Sequence, residues 1–320
     1  MLKVENLSTS YKTMGGRVNV INNVSFEVRR NEIFGIAGES GCGKTTLLKV
    51  LYDIIDPPLV IDSGRVVLDI DGNSYQSGDV KKTWWRDISY IPQAAQSALN
   101  PITRLKAQFL DSIPRNEIRR EGESTILSRI AGYMEELNLS ADLLNAYPFQ
   151  LSGGMRQRVI IALATFMGPS LVLADEPTTA LDVVVQRNIL MLLMRLQKQF
   201  ANTMILVSHD MGVHYQVTKR MGIMYAGSMV EMGDTERIFN APLHPYTQML
   251  VNALPRVGDS QSRVGIPGRP PSLLNPPPGC RFAPRCPKAA PDCQKTAPAF
   301  AELDNGHYAA CHFAGGGADA

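Results

Sequence analysis

The fold of this 320-residue chain is decided by the stretch Gly38-Glu39-Ser40-Gly41-Cys42-Gly43-Lys44-Thr45-Thr46. A short apolar segment (32–37) precedes it and predicts a buried strand, while the segment that follows (46–51) predicts the start of a helix. Glycines in such a loop let backbone N–H groups turn toward phosphate oxygens, and the helix N-terminus adds partial positive charge. Lys44 is expected to reach the β- and γ-phosphates, and the Thr45 hydroxyl to ligate Mg²⁺. The loop therefore predicts a binding site for a nucleoside triphosphate.

The composition is that of an ordinary globular protein. Hydrophobic residues make up 44% of the chain and charged residues 19%, and the formal net charge is +2. Because the charges nearly balance, we do not expect nucleic acid to be a partner. The N-terminus has no signal-peptide pattern, and the longest apolar run (159–174) is interrupted at Gly168-Pro169 and is too short to span a bilayer.

Alternating apolar and polar residues mark the first 30 positions as strands, which we expect to pair antiparallel and to lead into the phosphate-loop strand. Tyr11 lies between these two strands. It is either a half-buried tyrosine at a strand end or an aromatic plate that stacks on a nucleobase. Further strands are predicted at 64–72 and 88–93.

A helical segment from Ala94 to about Phe166 separates these strands from a second group. Residues 171–177 form a continuous apolar run, which is typical of a central parallel strand. A helix is then predicted at 183–200, a strand at 203–208 and a short hairpin around Ala226-Gly227. This alternation predicts an α/β fold with a helical insert.

Polar residues that suit phosphate and magnesium chemistry follow these elements. Asp175 is expected to hold Mg²⁺ and Glu176 to act as general base for an attacking water, the plain alternative being two carboxylates that cap a strand. Gln93 follows a strand and a proline, and it is either a magnesium or water contact or a loop residue without a role. Ser152-Gly153-Gly154 opens a helix, which makes either a second phosphate-binding N-terminus or a simple cap.

Together with Thr179-Ala180-Leu181-Asp182 and Ser208-His209-Asp210, these stretches resemble the ATP-binding-cassette (ABC) ATPases, in family order over residues 1 to about 240. The resemblance implies a P-loop cassette with a mixed sheet core, an antiparallel β subdomain and a helical insert. It also implies that two cassettes pair head to tail, so that the segment Leu151–Arg158 of one clamps ATP held by the loop of the other. Since no catalytic position is substituted, we expect an active ATPase.

The predicted site residues follow from this resemblance and from the phosphate loop. Catalysis is assigned to Lys44, Gln93, Glu176 and His209, and Mg²⁺ binding to Thr45, Gln93 and Asp175. Nucleotide binding is assigned to Tyr11, Gly38, Glu39, Ser40, Gly41, Cys42, Gly43, Lys44, Thr45, Thr46, Gln93, Ser152, Gly153, Gly154, Asp182 and His209. Cys42 is interpreted as a small side chain packed beneath the loop and not as a catalytic group.

From about position 255 the composition changes. Eleven of the 21 prolines lie there, so this tail cannot form a conventional core by itself and is either stapled by something or disordered. Four of the five cysteines lie in it with the spacing C-x5-C-x6-C-x17-C, namely Cys280, Cys286, Cys293 and Cys311. Because they cluster, a metal site in a reducing cytosolic setting fits better than a disulfide framework.

The tail also resembles a subfamily. His244–Leu250 and Gly279–Pro287 resemble the C-terminal extension of dipeptide and oligopeptide importer ATPases, members of which can carry an iron–sulfur cluster. Four thiolates can ligate one [4Fe–4S] cluster or a tetrahedral Zn²⁺, and the lack of paired C-x2-C spacings favours the cluster. Free thiols are the alternative, and His307 and His312 are alternative ligands. We expect the site to staple the tail, with redox sensing as the other possibility.

The resemblance therefore implies the motor subunit of a prokaryotic-type importer for dipeptides, oligopeptides or related solutes, peripheral on the cytoplasmic face of the membrane. The implied partners are a second cassette (identical or paralogous), two transmembrane permease subunits and, through them, an extracytoplasmic solute-binding protein. We expect a cassette at 1–254, with a helical subdomain at about 94–166, and a metal-stapled extension at 255–320. Alternatives are import of oligosaccharides or metal complexes, a soluble cassette that acts on ribosomes or DNA, and redox regulation of the motor through its tail.

Overall fold

The computed structural model describes residues 1–93, 98–254 and 265–314 of the chain, which form two sheets flanked by helices. The strands are β1 (Leu2–Thr13), β2 (Gly16–Val28), β3 (Ile33–Ala37), β4 (Leu59–Ile70), β5 (Asn73–Gln76), β6 (Ile88–Ile91), β7 (Leu171–Asp175), β8 (Thr203–Val207), β9 (Arg220–Tyr225), β10 (Ser228–Asp234), β11 (Ala301–Asp304) and β12 (His307–Ala309). The helices are α1 (Lys44–Leu51), α2 (Leu105–Asp111), α3 (Arg115–Glu121), α4 (Glu123–Glu136), α5 (Gly153–Thr165), α6 (Val183–Phe200), α7 (Met211–Val217), α8 (Thr235–Asn240), α9 (Pro245–Asn252) and α10 (Pro291–Lys295).

The smaller sheet has the strand order β2-β1-β4-β5 and is antiparallel throughout. Its inward residues, such as Leu2 and Val4 of β1, are almost fully buried, whereas neighbouring Lys3 is exposed. This alternation is what the sequence predicts for strands with one buried face. Tyr11 lies within β1 and pairs with Val18, so its predicted position between two strands was wrong.

The larger sheet has the order β11-β12-β10-β9-β3-β8-β7-β6. Strands β9, β3, β8, β7 and β6 run parallel to one another, and β10, β12 and β11 continue the sheet antiparallel. Every residue of β3, β7 and β8 is buried, because α4, α5 and α6 cover one face of this part of the sheet and α1 with the smaller sheet covers the other. The predicted central parallel strand at 171–177 is confirmed as β7, and the hairpin around Ala226-Gly227 as β9 and β10.

Helices between β6 and β7 pack into one hydrophobic cluster with the sheet. In α4 the buried residues Ile126, Ile130, Tyr133 and Met134 recur at helical spacing and face Val159 and Ile161 of α5 in this cluster. Helix α4 lies within the helical segment that the sequence predicts from Ala94 to about Phe166. Helix α6 matches its predicted bounds. No helix in the three described segments has the length and apolar character needed to cross a bilayer.

The tail is attached to the rest of the chain by strand pairing and aromatic packing. Strand β12 pairs with β10, so the C-terminal hairpin extends the larger sheet. Phe282, 1% exposed, packs against Tyr225 of β9 and Tyr246 of α9 with ring centroids 5.1 and 5.4 Å away. Burial of one such ring contributes roughly 1.5–3 kcal/mol. The described part of the tail is therefore held by the sheet and core of the preceding domain, a means of attachment that the expectation of a stapled or disordered tail did not include.

Candidate functional site

The phosphate loop joins β3 to α1, as predicted. All three of its glycines have a positive φ, of 151° at Gly38, 77° at Gly41 and 107° at Gly43. A Cβ on Gly38 would lie 2.2 Å from the Met224 carbonyl oxygen, so only glycine fits this close approach to β9. The Lys44 ammonium is buried and donates to the carbonyl oxygens of Gly38 and Glu39, at 2.7 and 3.0 Å. The loop thus holds its lysine inward, where phosphate would bind.

Asp175 lies opposite the start of α1. Its carboxylate accepts a hydrogen bond from the Thr45 hydroxyl at 3.2 Å and another from the Tyr90 hydroxyl at 2.9 Å. Burial raises the pKa of Asp175 above its usual value, although these two hydrogen bonds act in the opposite direction. Mg²⁺ in nucleotide sites is bound by one or two protein oxygens plus substrate phosphates, and the Thr45 and Asp175 oxygens fit that need.

Glu176 forms the second acidic position, and three side chains converge on it. Its carboxylate accepts hydrogen bonds from the Gln93 amide at 3.1 Å and the Thr179 hydroxyl at 2.8 Å, and it lies 3.2 Å from His209 Nδ1. Burial alone acts to raise the pKa of Glu176, but the hydrogen bonds from Thr179 and His209 outweigh burial and hold it below the usual value. Glu176 is therefore ionised near neutral pH, as a general base must be.

The sheet order brings these groups together. The phosphate loop follows β3, His209 follows β8, the acidic pair Asp175 and Glu176 lies at the end of β7, and Gln93 follows β6. These four strands are consecutive neighbours in the larger sheet. Because parallel strands end on the same side, residues far apart in sequence meet at one crevice beyond their carboxyl ends.

Tyr11 lies beside the loop helix. Its hydroxyl is 3.2 Å from the Thr46 hydroxyl, and the ring is half-buried against the smaller sheet. This placement is compatible with both interpretations of Tyr11, a half-buried structural tyrosine and an aromatic plate that stacks on a nucleobase. Cys42 is 4% exposed, and burial raises the pKa of its thiol, which suits a packed side chain with little nucleophilic character.

Two predicted nucleotide-binding stretches begin helices. Ser152 caps α5 by accepting the Met155 N–H at 3.3 Å, and Asp182 caps α6 by accepting the Val185 N–H at 2.9 Å. The two helix starts are close to each other, since a Cβ on Gly154 would be 3.1 Å from Val185. The N-termini of α5 and α6 therefore lie side by side.

Tyr90 is a site residue that the sequence reasoning missed. It belongs to β6, and the burial pattern of that strand does not indicate that the Tyr90 hydroxyl has a partner on β7.

We expect Tyr90→Phe to raise the Mg²⁺ concentration needed for half-maximal ATP hydrolysis by about 10-fold, because a hydrogen bond to a charged group is worth about 1.5 kcal/mol. Steady-state hydrolysis measured against Mg²⁺ concentration tests this. Tyr52→Phe is the control, since its ring stacks on Tyr90 without donating to Asp175. An unchanged Mg²⁺ dependence in Tyr90→Phe would contradict the role.

His214 of α7 lies fully buried beneath β3. Its Nε2 is 3.2 Å from the Ser208 carbonyl oxygen, so this nitrogen carries the proton, and Nδ1 has no hydrogen-bond partner. A Cβ on Gly35 would lie 2.6 Å from that Nδ1. A second proton on Nδ1 would be buried without an acceptor, and burial lowers the pKa of His214 to about 4.

This shift predicts a loss of stability in mild acid. The unfolded chain takes up a proton near pH 6.5, whereas the folded chain does so only near pH 4. The free energy of unfolding should therefore be fully retained above pH 6.5 and fall as the pH drops to 4, by roughly 3 kcal/mol for this residue. Denaturant unfolding at a series of pH values measures it. His214→Gln keeps a donor for Ser208 and should flatten this part of the profile; equal slopes in both proteins would refute the assignment.

The four tail cysteines line one small cavity, together with His244, Phe282 and His312. All four are free thiols. Burial raises the pKa of Cys280 above its usual value, while hydrogen bonds from the backbone of Phe282 and Ala283 act in the opposite direction. His307 is not part of this group, because it lies 2.8 Å from a carboxylate oxygen of Glu231. His312 reaches the carbonyl oxygen of Thr296 at 3.0 Å.

The cysteine side chains in this cavity are not arranged in the geometry of a metal site. Across residues 1–93, 98–254 and 265–314, no group of three or more histidine, cysteine, aspartate or glutamate side chains is arranged to hold a metal ion. The four thiols fit a [4Fe–4S] cluster or Zn²⁺ in number and type. Their arrangement does not bear out the predicted metal-stapled extension.

Two family models match the chain. The one described as ABC transporter matches residues 21–179, which include the phosphate loop, Asp175 and Glu176. The one described as oligopeptide/dipeptide transporter, C-terminal region, matches residues 230–293, which include three of the four tail cysteines. The two models thus cover the phosphate loop, the acidic pair and most of the extension.

Several proteins resemble this chain over nearly its whole length. The dipeptide transport ATP-binding protein DppD of Caldanaerobacter subterraneus is 38% identical over 98% of this chain and 96% of that protein. The corresponding protein of Bacillus subtilis is 36% identical over 97% of this chain and 94% of its own length. Among solved structures, the ATP-binding cassette MJ0796, a dimer in a post-hydrolysis state with ADP and Pi, has a TM-score of 0.60 at 26% identity, covering 73% of this chain and 99% of that one.

Proposed function

This chain belongs to the ABC transporter family of ATP-hydrolysing subunits, and on that premise we propose that it drives a membrane importer for dipeptides or oligopeptides. The observation that carries the ATPase assignment is the convergence of Gln93, Thr179 and His209 on Glu176, beside Lys44 and Asp175. The solute class rests on relatives named for dipeptide transport, which match the extension as well as the cassette. We assign the cassette to 1–254 and the extension to 255–320.

In hydrolysis, Glu176 accepts a proton from the water that attacks the γ-phosphate, and Gln93 and His209 orient this carboxylate and the water. Lys44 neutralises charge on the β- and γ-phosphates. Mg²⁺ bound at Thr45 and Asp175, with Gln93 nearby, would supply charge neutralisation at the phosphate oxygens. Tyr11 would stack on the adenine as an aromatic plate.

Two cassettes, identical or paralogous, would close around two ATP molecules. Ser152, Gly153 and Gly154 of one subunit would offer the N-terminus of α5 to ATP held by the other. The capped start of α5 beside the start of α6 supports the arrangement, because both helix N-termini would then face the same partner. Val183 and Val184 beside Asp182 are 81% and 69% exposed, which fits a surface that pairs with another subunit.

A permease would dock beside Gln93. A cavity of about 390 Å³ lies there between β6 and α5, with an apolar lining that includes Tyr52, Trp85 and Leu163. Trp85 is 38% exposed, and an exposed tryptophan in a groove is a common anchor point for a partner helix. Because Gln93 also contacts Glu176, movement in this groove would reach the hydrolytic centre. The complex would sit on the cytoplasmic face of the membrane, with a solute-binding protein on the other side.

Affinity purification from detergent-solubilised membranes of the source cell tests this function. We expect recovery of two permease subunits and a second cassette, and uptake of labelled dipeptides that is lost in cells lacking this chain. Recovery from the soluble fraction alone, with ribosomes or nucleic acid, would overturn the transport proposal. Normal dipeptide uptake in the deletion strain, with loss of oligosaccharide or metal-complex uptake, would overturn the solute class.

We also propose that Cys280, Cys286, Cys293 and Cys311 hold a [4Fe–4S] cluster with a structural role. Support comes from their shared cavity and from the hydrogen bonds that the backbone offers to Cys280, which suit a thiolate ligand. Iron and acid-labile sulfide analysis of anaerobically purified protein tests the proposal, with Cys286→Ser as the comparison. Stoichiometric zinc without sulfide, or four titratable thiols without metal, would overturn it.

A further inference from the structure

A residue of the tail contacts the phosphate loop directly. Arg285 donates to both carboxylate oxygens of Glu39, at 2.7 and 3.0 Å, although the two residues are 246 positions apart. The Arg285 side chain is 4% exposed and that of Glu39 is 26% exposed. A two-pronged arginine–carboxylate pair of this kind is among the stronger and more directional contacts in proteins.

The guanidinium group of Arg285 is fixed from several sides. It also donates to the carbonyl oxygens of Pro267 and Ile266, at 2.8 and 3.2 Å, and to the Tyr225 hydroxyl at 3.2 Å. These hydrogen bonds hold the guanidinium group in a fixed position. It belongs to a 3₁₀ turn (Ala283–Arg285) that the buried ring of Phe282 anchors to the sheet.

Glu39 links this contact to the catalytic lysine. Its backbone N–H donates to the Tyr246 hydroxyl at 2.9 Å, so it is held on a second side. Its carbonyl oxygen accepts from Lys44 Nζ at 3.0 Å and from the Cys42 N–H at 3.3 Å. The connection from Arg285 to Lys44 therefore passes through one residue, and a shift of Glu39 would move both the loop backbone and the lysine.

We propose that Arg285 is a positioning residue for the phosphate loop, and that the C-terminal extension thereby sets the affinity of the cassette for magnesium nucleotide. Arg285 does not touch the phosphates; it holds Glu39, and Glu39 holds the loop in the shape that binds them. Since a preformed loop binds nucleotide without a cost of ordering, release of Glu39 lowers affinity more than it lowers the hydrolysis rate of bound ATP. The inference goes beyond the transport assignment and does not depend on which solute is imported.

Calorimetric titration of the purified full-length chain with MgADP tests the proposal, alongside steady-state hydrolysis of MgATP. We expect Arg285→Met to raise the Kd for MgADP and the KM for MgATP by about 10-fold each, which corresponds to about 1.4 kcal/mol, while kcat changes less than about threefold. Arg285→Lys keeps the charge but loses the two-pronged geometry, so it should restore part of the affinity.

Arg237→Met is the matched control. Arg237 of α8 pairs with Asp304 of β11, so its removal also breaks an ion pair between the cassette and the extension, but one that does not involve the phosphate loop. This variant should bind MgADP like the parent. An equal loss of affinity in Arg237→Met, or parental affinity in a folded Arg285→Met, would overturn the proposal.

Glu39→Gln tests the same contact by changing its partner in the phosphate loop. This variant keeps the proposal testable if Arg285→Met does not fold. It should weaken MgADP binding to a similar degree. The double variant should bind no more weakly than either single one, because both changes remove the same contact. Additive losses in the double variant, or unchanged binding in Glu39→Gln, would show that Arg285 does not act through Glu39.

Discussion

Glu176→Gln should lower the rate of ATP hydrolysis by about 100- to 10,000-fold while ATP still binds, because the attacking water loses its base. Glutamine has nearly the same shape as glutamate and can keep the contacts to Gln93 and Thr179. The amide cannot accept a proton at neutral pH. Since closure of two cassettes around ATP does not require hydrolysis, the variant should accumulate as a closed dimer with ATP bound.

Two measurements check this result. Phosphate release reports the rate, and size-exclusion chromatography with light scattering reports the dimer in the presence of MgATP. Glu236→Gln, an exposed carboxylate at the start of α8, serves as the control and should behave like the parent. Hydrolysis by Glu176→Gln at the parental rate would remove Glu176 from the mechanism. A slow variant that also fails to bind ATP would point to a role in binding instead.

Lys44→Ala should reduce ATP hydrolysis by at least about 100-fold and weaken nucleotide binding as well, which distinguishes it from Glu176→Gln. Lys44 is the buried cation of the crevice, and its two carbonyl contacts hold it in place before nucleotide arrives. Removal of the side chain takes away the charge that faces the β- and γ-phosphates. It also leaves the carbonyl oxygens of Gly38 and Glu39 without this donor.

Titration with MgADP and hydrolysis assays at saturating MgATP separate the two effects. Lys49→Ala is the control, because it removes the same charge from the last turn of the same helix, α1, where the side chain is half-buried and remote from the loop. If Lys44→Ala binds MgADP and hydrolyses ATP like Lys49→Ala, the phosphate assignment of Lys44 is wrong.

Features that depend on nearby residues could be predicted from the sequence. The strand, glycine loop and helix around Lys44 are contiguous, so their spacing alone indicates the arrangement. Helix α6 and strand β7 also followed from local periodicity. Within the site, the convergence on Glu176 required the order of β3, β8, β7 and β6 in the sheet, which only the family resemblance supplied.

Contacts between distant segments left no local signal. Tyr90 belongs to a short strand, and nothing in that strand reveals that its hydroxyl meets Asp175. Arg285 and Glu39 are separated by most of the chain, and each looks like an ordinary charged residue in a loop. The tail was predicted to lack a core because its prolines prevent long helices and strands. Composition could not show that Phe282 would enter a core built by β9 and α9.

The pairing of β12 with β10 has a further consequence for the behaviour of the chain in concentrated solution. Strand β10 is buried along Met229–Met232, where every residue but Glu231 is apolar, and without β12 its backbone N–H and C=O groups would be open to another molecule. The outermost strand β11 instead presents exposed Glu302 and Asp304, and like charges at such a position repel an incoming copy. The C-terminal hairpin thus protects the protein from strand-to-strand aggregation. A chain truncated before β11 would expose the unpaired edge of β10, to which another molecule could add a strand.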